Sequence, residues 1–477
     1  GALAGAACGL GATGARDAQR LKASSGAKVQ PDGTDRMMFA YYLKLALRSL
    51  RQNIVITVLM VIAIAVGIGA SMTMVTIFRA ASGNPIPQKS AQLFAVQIDS
   101  YGPQPSASLP ADFLPYRLNY VDATALMRAR RATRQTVLYP ISELLTPPDP
   151  QRDPVQANGH ATSGDFFPMF EVPFRYGGPW GRAEDDAHAP VVVLTRRLND
   201  RLFGGANSVG RTVTIEGLSY RVMGVTDDWR PTPAFYDLGA GGGAYTAADE
   251  FFLPFSRAID QQWRTAGGFG CPARTPGIKG WDGMLATPCT WIALWVELPT
   301  AQAADSYRAF LRNYADVQRQ NGRFNWPSRV ALRDVTDWLN YSHVVPPALT
   351  TLMGVSFAIL LVCLLNAAGL MLAKFMSRLG SVALRRALGA SRPAIYAQCL
   401  IEAAMIGVAG ALVGLGLIEV GLIACRLVLP TDFAILTRLR SADVLIALGL
   451  AILSALVAGV YPSWRTTRVE CAMQLKA

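Results

Sequence analysis

Between Ile54 and Phe78 the chain reads IVITVLMVIAIAVGIGASMTMVTIF, without one charged side chain. About 20 apolar residues in a helix are enough to cross the hydrocarbon core of a bilayer. Inside that core the backbone must satisfy its own hydrogen bonds, so the run is a helix. Three further runs share this character, from about Ala348 to Ala373, Ala394 to Ala424 and Val444 to Val460. The last is the shortest and has the least length to tilt. These four spans (54–78, 348–373, 394–424 and 444–460) constrain everything else. The long stretch from Arg79 to Pro347 has ordinary soluble character and is large enough to bury its own core.

Charge then sets the orientation. The chain is 16% charged, against about a quarter for a typical soluble protein. Its net charge of +12 would admit a nucleic-acid partner, but the basic residues flank the apolar runs, so nucleic acid is set aside. Lys44, Arg48 and Arg51 precede the first span, with no acid from Tyr41 to Asn53. Lys374, Arg378, Arg385, Arg386 and Arg392 lie between the second and third, in segment 374–393, again with no acid. Arg465, Arg468 and Lys476 follow the fourth, in the tail 461–477. An even number of spans puts these three segments on one side, and the positive-inside rule makes that side the cytoplasm. Both termini are then cytoplasmic, and residues 79–347 lie outside. Arg426, Arg438 and Arg440 in the short outer loop 425–443 run against the rule but are outweighed.

Residues 1–36 are rich in Gly, Ala and Ser and lack the apolar core of a secretory signal. The GLGATG at Gly9 to Gly14 matches GxGxxG but has no readable strand before it or helix after it, and is attributed to composition. The expectation is a disordered or over-extended stretch, with translation starting at Met37 or Met38. Within 37–53, FAYYLKLALRSLR alternates apolar and basic residues at helical spacing. It either lies along the inner membrane surface or extends the first span, with Lys and Arg snorkelling.

In the outer stretch, VVVLTRRLNDRLF (Val191 to Phe203) reads as a buried strand running into a helix. TVTIEG (from Thr212), YRVMGVTDD (from Tyr220) and TWIALWVEL (from Thr290) read as strands, and SYRAFLRNYADVQRQ (from Ser306) as a helix. The class is therefore an α-helical membrane protein carrying a large α+β extracytoplasmic domain between its first two spans. Trp229 to Cys289 is rich in Gly and Pro, includes GAGGGA at Gly239 to Ala244, and reads as an irregular insertion. Of seven cysteines only Cys271 and Cys289 fall outside, where an oxidising compartment permits a bridge. Two free buried thiols are the alternative. Cys363, Cys399 and Cys425 read as packing residues.

Catalytic motifs are absent from this sequence. There is no GK dipeptide for a Walker A loop, no GxSxG and no HExxH. His160, His188 and His343 are scattered and read as surface or turn residues, and Glu184, Asp185 and Asp186 as a solvated charge run. No metal, cofactor or catalytic site is expected, and a membrane-tethered enzyme is set aside.

Charges inside spans need a reason. Glu402 lies near the inner end of the third span, within sequence reach of Arg392. Glu419, about 25 Å further along, is placed to meet the outer interface or Arg426. Gly407, Gly410, Gly414 and Gly416 mark a close helix contact, with Gly67, Gly69, Ala70 and Ser71 as its counterpart on the first span.

Three stretches resemble the MacB/FtsX-like family of ABC permeases: SRLGSVALRRALGASRPAIYAQCLIEA (from Ser377), ATSGDFFPMFEVPFRYGGPW with the following VVVLTRRLNDRLFGGANSVGRTVTIEGLSYRVMGV, and the tail YPSWRTTRVECAMQLKA. The resemblance covers nearly everything after Met37. It implies a bacterial inner-membrane permease that pairs with a second copy or a paralogue. It also implies a separate ABC-type ATPase subunit that binds the ATP. Docking would use the segment between spans two and three, with Arg378, Arg385, Arg386, Leu388, Gly389 and Arg392 as the coupling residues. A short helix from Val382 to Leu388 would end at Gly389 and turn Arg385 and Arg386 toward the partner's acidic grooves; anionic membrane lipid is the competing partner for those arginines. Some members of the family work with a periplasmic adaptor and outer-membrane channel, and others release lipoproteins or regulate cell-wall enzymes. Two functions follow: ATP-driven export, or a non-transporting signalling or scaffold subunit that relays ATPase motion outward.

Overall fold

The structure is a computed structural model, and it describes residues 45, 48–50, 53–102, 113–148, 153–239, 244–245, 248–272, 275, 277–428 and 441–467. The 1–36 segment, most of 37–53, most of the GAGGGA stretch, Arg438 and Arg440, and the tail after Thr467 lie outside the described residues. The chain forms two compact units: residues 1–69 with 359–417 and 444–477, and residues 70–358 with 418–443.

In chain order, α1 (Ile54–Ser82) leads to β1 (Leu93–Ile98), α2 (Tyr120–Ala129), β2 (Arg134–Thr146) and β3 (Val155–Thr162). Next come α3 (Phe166–Met169), β4 (Phe174–Gly177), α4 (Arg182–Asp186), β5 (Val191–Thr195) and α5 (Arg196–Phe203). Then β6 (Thr212–Ile215), β7 (Leu218–Thr226), β8 (Phe251–Pro254), α6 (Phe255–Asp260), α7 (Gly280–Ala286) and β9 (Ala293–Glu297) follow. The inserted domain closes with α8 (Ala301–Gln320), β10 (Val330–Asp334) and α9 (Val335–Tyr341). The remaining helices are α10 (Pro347–Met376), α11 (Leu379–Ala387), α12 (Arg392–Val428) and α13 (Ser441–Thr467).

Helices α1, α10, α12 and α13 are each long and apolar enough to cross a membrane. They run past the apolar windows read from sequence. α13 continues beyond Val460 through Tyr461, Trp464 and Arg465, because a helix does not stop where the hydrocarbon does. α1 continues past Phe78 to Ser82, and Arg79 there pairs with Asp443 at 2.6 Å.

The inserted domain is α+β, built on one ten-stranded sheet of order β10-β1-β9-β2-β3-β8-β5-β7-β4. Inner strands β5 (VVVLT), β8 (FFLP) and β9 (ALWVE) are buried on both faces almost throughout and read as near-continuous apolar runs. Successive residues serve opposite faces. Val96, Val137, Leu194 and Val222 join Tyr307 and Leu311 of α8 in one core. Ala95, Leu138, Val193 and Phe252 join Phe166, Trp295 and Trp338 in the other. Strand β6 pairs with both β2 and β7. The ladders β2-β3-β8-β5-β7-β6 therefore return to β2 and close a ring.

The stretch from Trp229 to Cys289 departs from the expected irregular insertion. It supplies β8, which lies parallel to β3 and antiparallel to β5 in the middle of the sheet. Four residues, FFLP, ending in proline, are too short to announce a strand.

Candidate functional site

The segment between α10 and α12 folds as expected in kind and differently in detail. α11 starts at Leu379, three residues before the expected Val382, and its C-cap is Leu388. Gly389 follows at φ +99°, a conformation that glycine adopts at little strain and residues with a side chain do not. Leu384 and Leu388 are 63% and 80% exposed. They stand four residues apart, on one face of the turn. Arg385 does not project outward: its guanidinium donates to Gln398 Oε1 of α12 at 3.0 Å. Arg392 is exposed at the start of α12.

Beneath this segment lies a buried ionic cluster. Glu402 of α12 is 3% exposed and Lys374 of α10 is fully buried, with 2.6 Å between Lys374 Nζ and Glu402 Oε1. Arg378 approaches the same oxygen at 3.8 Å. Ser49, ahead of α1, donates its hydroxyl to Glu402 and accepts from Arg378, whose other nitrogen donates to the Ser49 carbonyl at 2.7 Å. Lys374 also donates to Thr57 Oγ1 of α1 at 3.2 Å. One carboxylate thus ties together the chain before α1, the end of α10 and the start of α12. A cleft of about 260 Å³ opens beside it, reached by Arg48, Arg378 and Arg385. The partner expected for Glu402 from sequence, Arg392, is not the one found. Lys374 lies near the end of α10 and Arg378 caps the start of α11, and only the fold brings them alongside Glu402. Ser49 carried no signal in the sequence. Glu419 sits 4.0 Å from Arg426 and is half-exposed.

The small residues of α12 divide among neighbours. Gly407 faces Ala451 and Ala455 of α13, whereas Gly410 and Gly414 face Ile64 and Ala65 of α1. Gly69 meets Leu417, but Gly67 meets Leu360 and Cys363 of α10, and nothing lies within 4 Å of Gly416. The first span therefore offers two small-residue surfaces rather than one.

In the inserted domain the structure overturns the reading of His160 as a surface residue. Its Nε2 lies 2.9 Å from Asp237 and its Nδ1 2.8 Å from Asp249, and the ring is buried. Arg117 donates to Asp237 at 2.5 and 3.0 Å and to the Gly268 carbonyl at 2.9 Å. Tyr236 donates to Asp249 at 2.7 Å. Burial opposes the charge on His160, but the two carboxylates outweigh it and raise the imidazole to about 9. The cluster ties the Gly/Pro-rich stretch carrying Asp237 and Asp249 to β3. Asp185 is likewise more than a solvated charge. It accepts from the Gly164 N–H and the Trp180 indole, each at 2.8 Å, and burial raises it to about 6. His188 and His343 are exposed. Cys271 and Cys289 are joined by a disulfide. Among the described residues no group of three His, Cys, Asp or Glu side chains is placed to hold a metal ion.

Comparison with known proteins follows the same division. The family model of the MacB-like periplasmic core domain matches residues 57–311, and that of the FtsX-like permease C-terminal matches residues 353–471. The macrolide export ATP-binding/permease protein MacB of Syntrophobacter fumaroxidans is 24% identical over 359 residues, covering 68% of this chain and 48% of its own length. The pyoverdine export ATP-binding/permease protein PvdT of Pseudomonas aeruginosa is 25% identical over 254 residues, covering 53% of this chain and 33% of its own. The chain thus spans about half the length, or less, of these relatives. The crystal structure of the periplasmic region of MacB from Actinobacillus actinomycetemcomitans aligns over 52% of this chain and 92% of its own, with 13% identity and a TM-score of 0.32. The extracellular domain of the ABC-type transporter YknZ from Gram-positive bacteria aligns over 50% of this chain and 99% of its own, with 11% identity and a TM-score of 0.31. With the two family models together reaching from the first apolar helix to the last, the chain belongs to the MacB/FtsX-like family of ABC permeases, multi-pass inner-membrane proteins with a MacB-like periplasmic core domain between the first two apolar helices.

Proposed function

We propose that this chain is the membrane permease of an ABC-type export machine, and that α11 with the Gly389 turn is where an ABC-type ATPase docks. The observation that carries this reading is the pairing of an exposed Leu384–Leu388 face with the buried Glu402–Lys374–Arg378 cluster directly behind it. The exposed face offers a partner apolar area, each leucine contributing about 1.5–3 kcal/mol when fully covered. The cluster anchors the same segment to three helical pieces, so displacement of α11 reaches α1, α10 and α12 together. ATP chemistry belongs to the partner. The basic flanks place α11 and both termini in the cytoplasm and the core domain in the periplasm. A second copy or a paralogue completes the permease, and the core domain works on a periplasmic adaptor, with an outer-membrane channel beyond it.

The test is affinity purification of the detergent-solubilised chain, comparing wild type with Leu384→Asp/Leu388→Asp. Wild type should bring down an ABC ATPase, and the double variant should lose about tenfold or more of it, as expected from one buried leucine. Recovery of the ATPase undiminished by the double variant would remove α11 as the docking surface. Absence of any ATPase from well-folded wild type would remove the export reading itself.

A further inference from the structure

The core domain contains a cavity of about 560 Å³, bounded by α2, the loop before α3, α4 and α6. That volume falls in the range of small-molecule sites, roughly 300–1,000 Å³. One wall is apolar. Tyr120 and Phe255 stack across it, 6.3 Å apart and 18° from parallel, with Met127 and Ile259 beside them. The opposite side carries an excess of acceptors. At the rim, Arg130 and Asp186 stand 3.9 Å apart, and His188 and Asp260 stand 2.5 Å apart. Arg128 and Arg182 also line the mouth, and both are exposed.

Deeper in, Asp165 and Asp185 have no such partners. Asp165 accepts from the Gln135 N–H at 3.2 Å, and Asp185 from Gly164 and Trp180. Neither forms an ion pair among the described residues. Their mutual repulsion adds to burial in raising Asp185 to about 6. Gln135, which lines the cavity as well, is 7% exposed, and its Oε1 has no hydrogen-bond donor among the described residues. Two partly buried carboxylates without an ion pair, beside a buried amide oxygen without a donor, among the described residues, make a polar end richer in acceptors than in donors. The Tyr120–Phe255 wall supplies the surface on which an apolar body rests.

We propose that this cavity binds a small primary ammonium carried on an aromatic or aliphatic body, with the ammonium between Asp165 and Asp185 and the body against Tyr120 and Phe255. An ammonium is compact and carries three donors, which suits several acceptors converging on one point. A carboxylate at this position would meet two like charges. The exposed arginines at the mouth favour ligands whose far end is polar or anionic over those with a second cation. The site stands independently of the ATPase-docking reading, because every residue in it belongs to the core domain.

Three probes with one apolar body and different charge separate the possibilities. L-phenylalaninamide carries the ammonium, N-acetyl-L-phenylalaninamide is neutral, and N-acetyl-L-phenylalanine is an anion. Calorimetric titration of the full chain in detergent at pH 7 should give saturable binding of L-phenylalaninamide, at least about tenfold tighter than either acetylated probe. Asp165→Asn/Asp185→Asn should weaken it about tenfold or more. Thr124→Trp, which puts bulk into the cavity from α2 and keeps both carboxylates, should do the same and guards against a folding defect in the first variant. Circular dichroism checks that both variants are folded. Equal binding of the three probes, stronger binding of the anion, no binding up to the solubility limit, or folded variants that bind like wild type would each overturn the proposal.

Discussion

Glu402 shows how much one buried carboxylate can carry. Removing one partner of a buried ion pair leaves an uncompensated charge and costs about 3–5 kcal/mol, while replacing both with well-packed neutral groups is often close to neutral. Glu402→Gln and Lys374→Met should therefore each destabilise the membrane helices by about 3 kcal/mol. The double variant should cost clearly less than the sum, a coupling readable from detergent unfolding of the four proteins in the cycle. If the two single effects simply add, the cluster is not the unit described here. His160 gives a second residue-scale prediction. Its pKa in the fold is about 9, above the ordinary 6.5. Below pH 6.5 it is charged folded or unfolded, and its stabilisation is fully present. As pH rises toward 9 only the folded state keeps the proton, so stability falls by about 3 kcal/mol and the contribution is gone above 9. Glu143, raised to about 7 by burial and by Glu216, also lowers stability as pH rises, but its decline is complete near pH 7. The fall in core-domain melting temperature between pH 7.5 and 9.5 should thus belong to His160 and flatten in His160→Gln. Neither cluster was legible in full. Glu402 stood out as a charge in an apolar run, yet its partners come from α10, the start of α11 and the chain before α1. His160 looked isolated because its two carboxylates arrive from 77 and 89 residues downstream.

Helices and strands differed in how plainly they announced themselves. The apolar windows of α1, α10, α12 and α13 were visible from length and hydrophobicity alone, because bilayer thickness sets both. Their ends were not, since interfacial residues such as Tyr461 and Trp464 continue the helix without continuing the pattern. Strand β5 with α5, and β6 with β7, followed readable local rules. β8 did not, because its place is set by β3 and β5 on either side rather than by its own four residues. The α12 glycines were recognised as contact residues, but which neighbour each meets depends on helix rotation, which composition does not encode. That distinction is testable. A Cβ on Gly410 would lie 2.7 Å from Ile64 Cγ2, whereas nothing lies within 4 Å of Gly416. Gly410→Leu should destabilise the helices by about 1–3 kcal/mol through overpacking, and Gly416→Leu should stay within about 0.5 kcal/mol. Thermal unfolding of the two variants in one detergent checks the contrast, and similar melting temperatures would contradict the packing described for α12.

At the scale of the whole molecule, four apolar helices and one large insertion follow from where the charges and apolar runs fall, and the family resemblance rests on segments spread along most of the chain. The domain's internal wiring could not be read that way. It depends on pairings such as β2 with β6, separated by about 70 residues and by three other strands. That wiring has a mechanical consequence. α1 feeds β1, and β10 leads through α9 into α10, and these two strands are neighbours at one end of the sheet, antiparallel from Phe94↔Asp334 to Ile98↔Val330. The closed ring of six strands lies further along the same sheet. The β10 margin is the open end of the sheet, where β10 pairs with β1 alone among the described strands. Breaking any one ladder of the ring leaves its six strands joined through the other five. A load on the ring is therefore shared between two paths while the β10 margin has one, so the sheet is stiffer in its closed part than at its open edge.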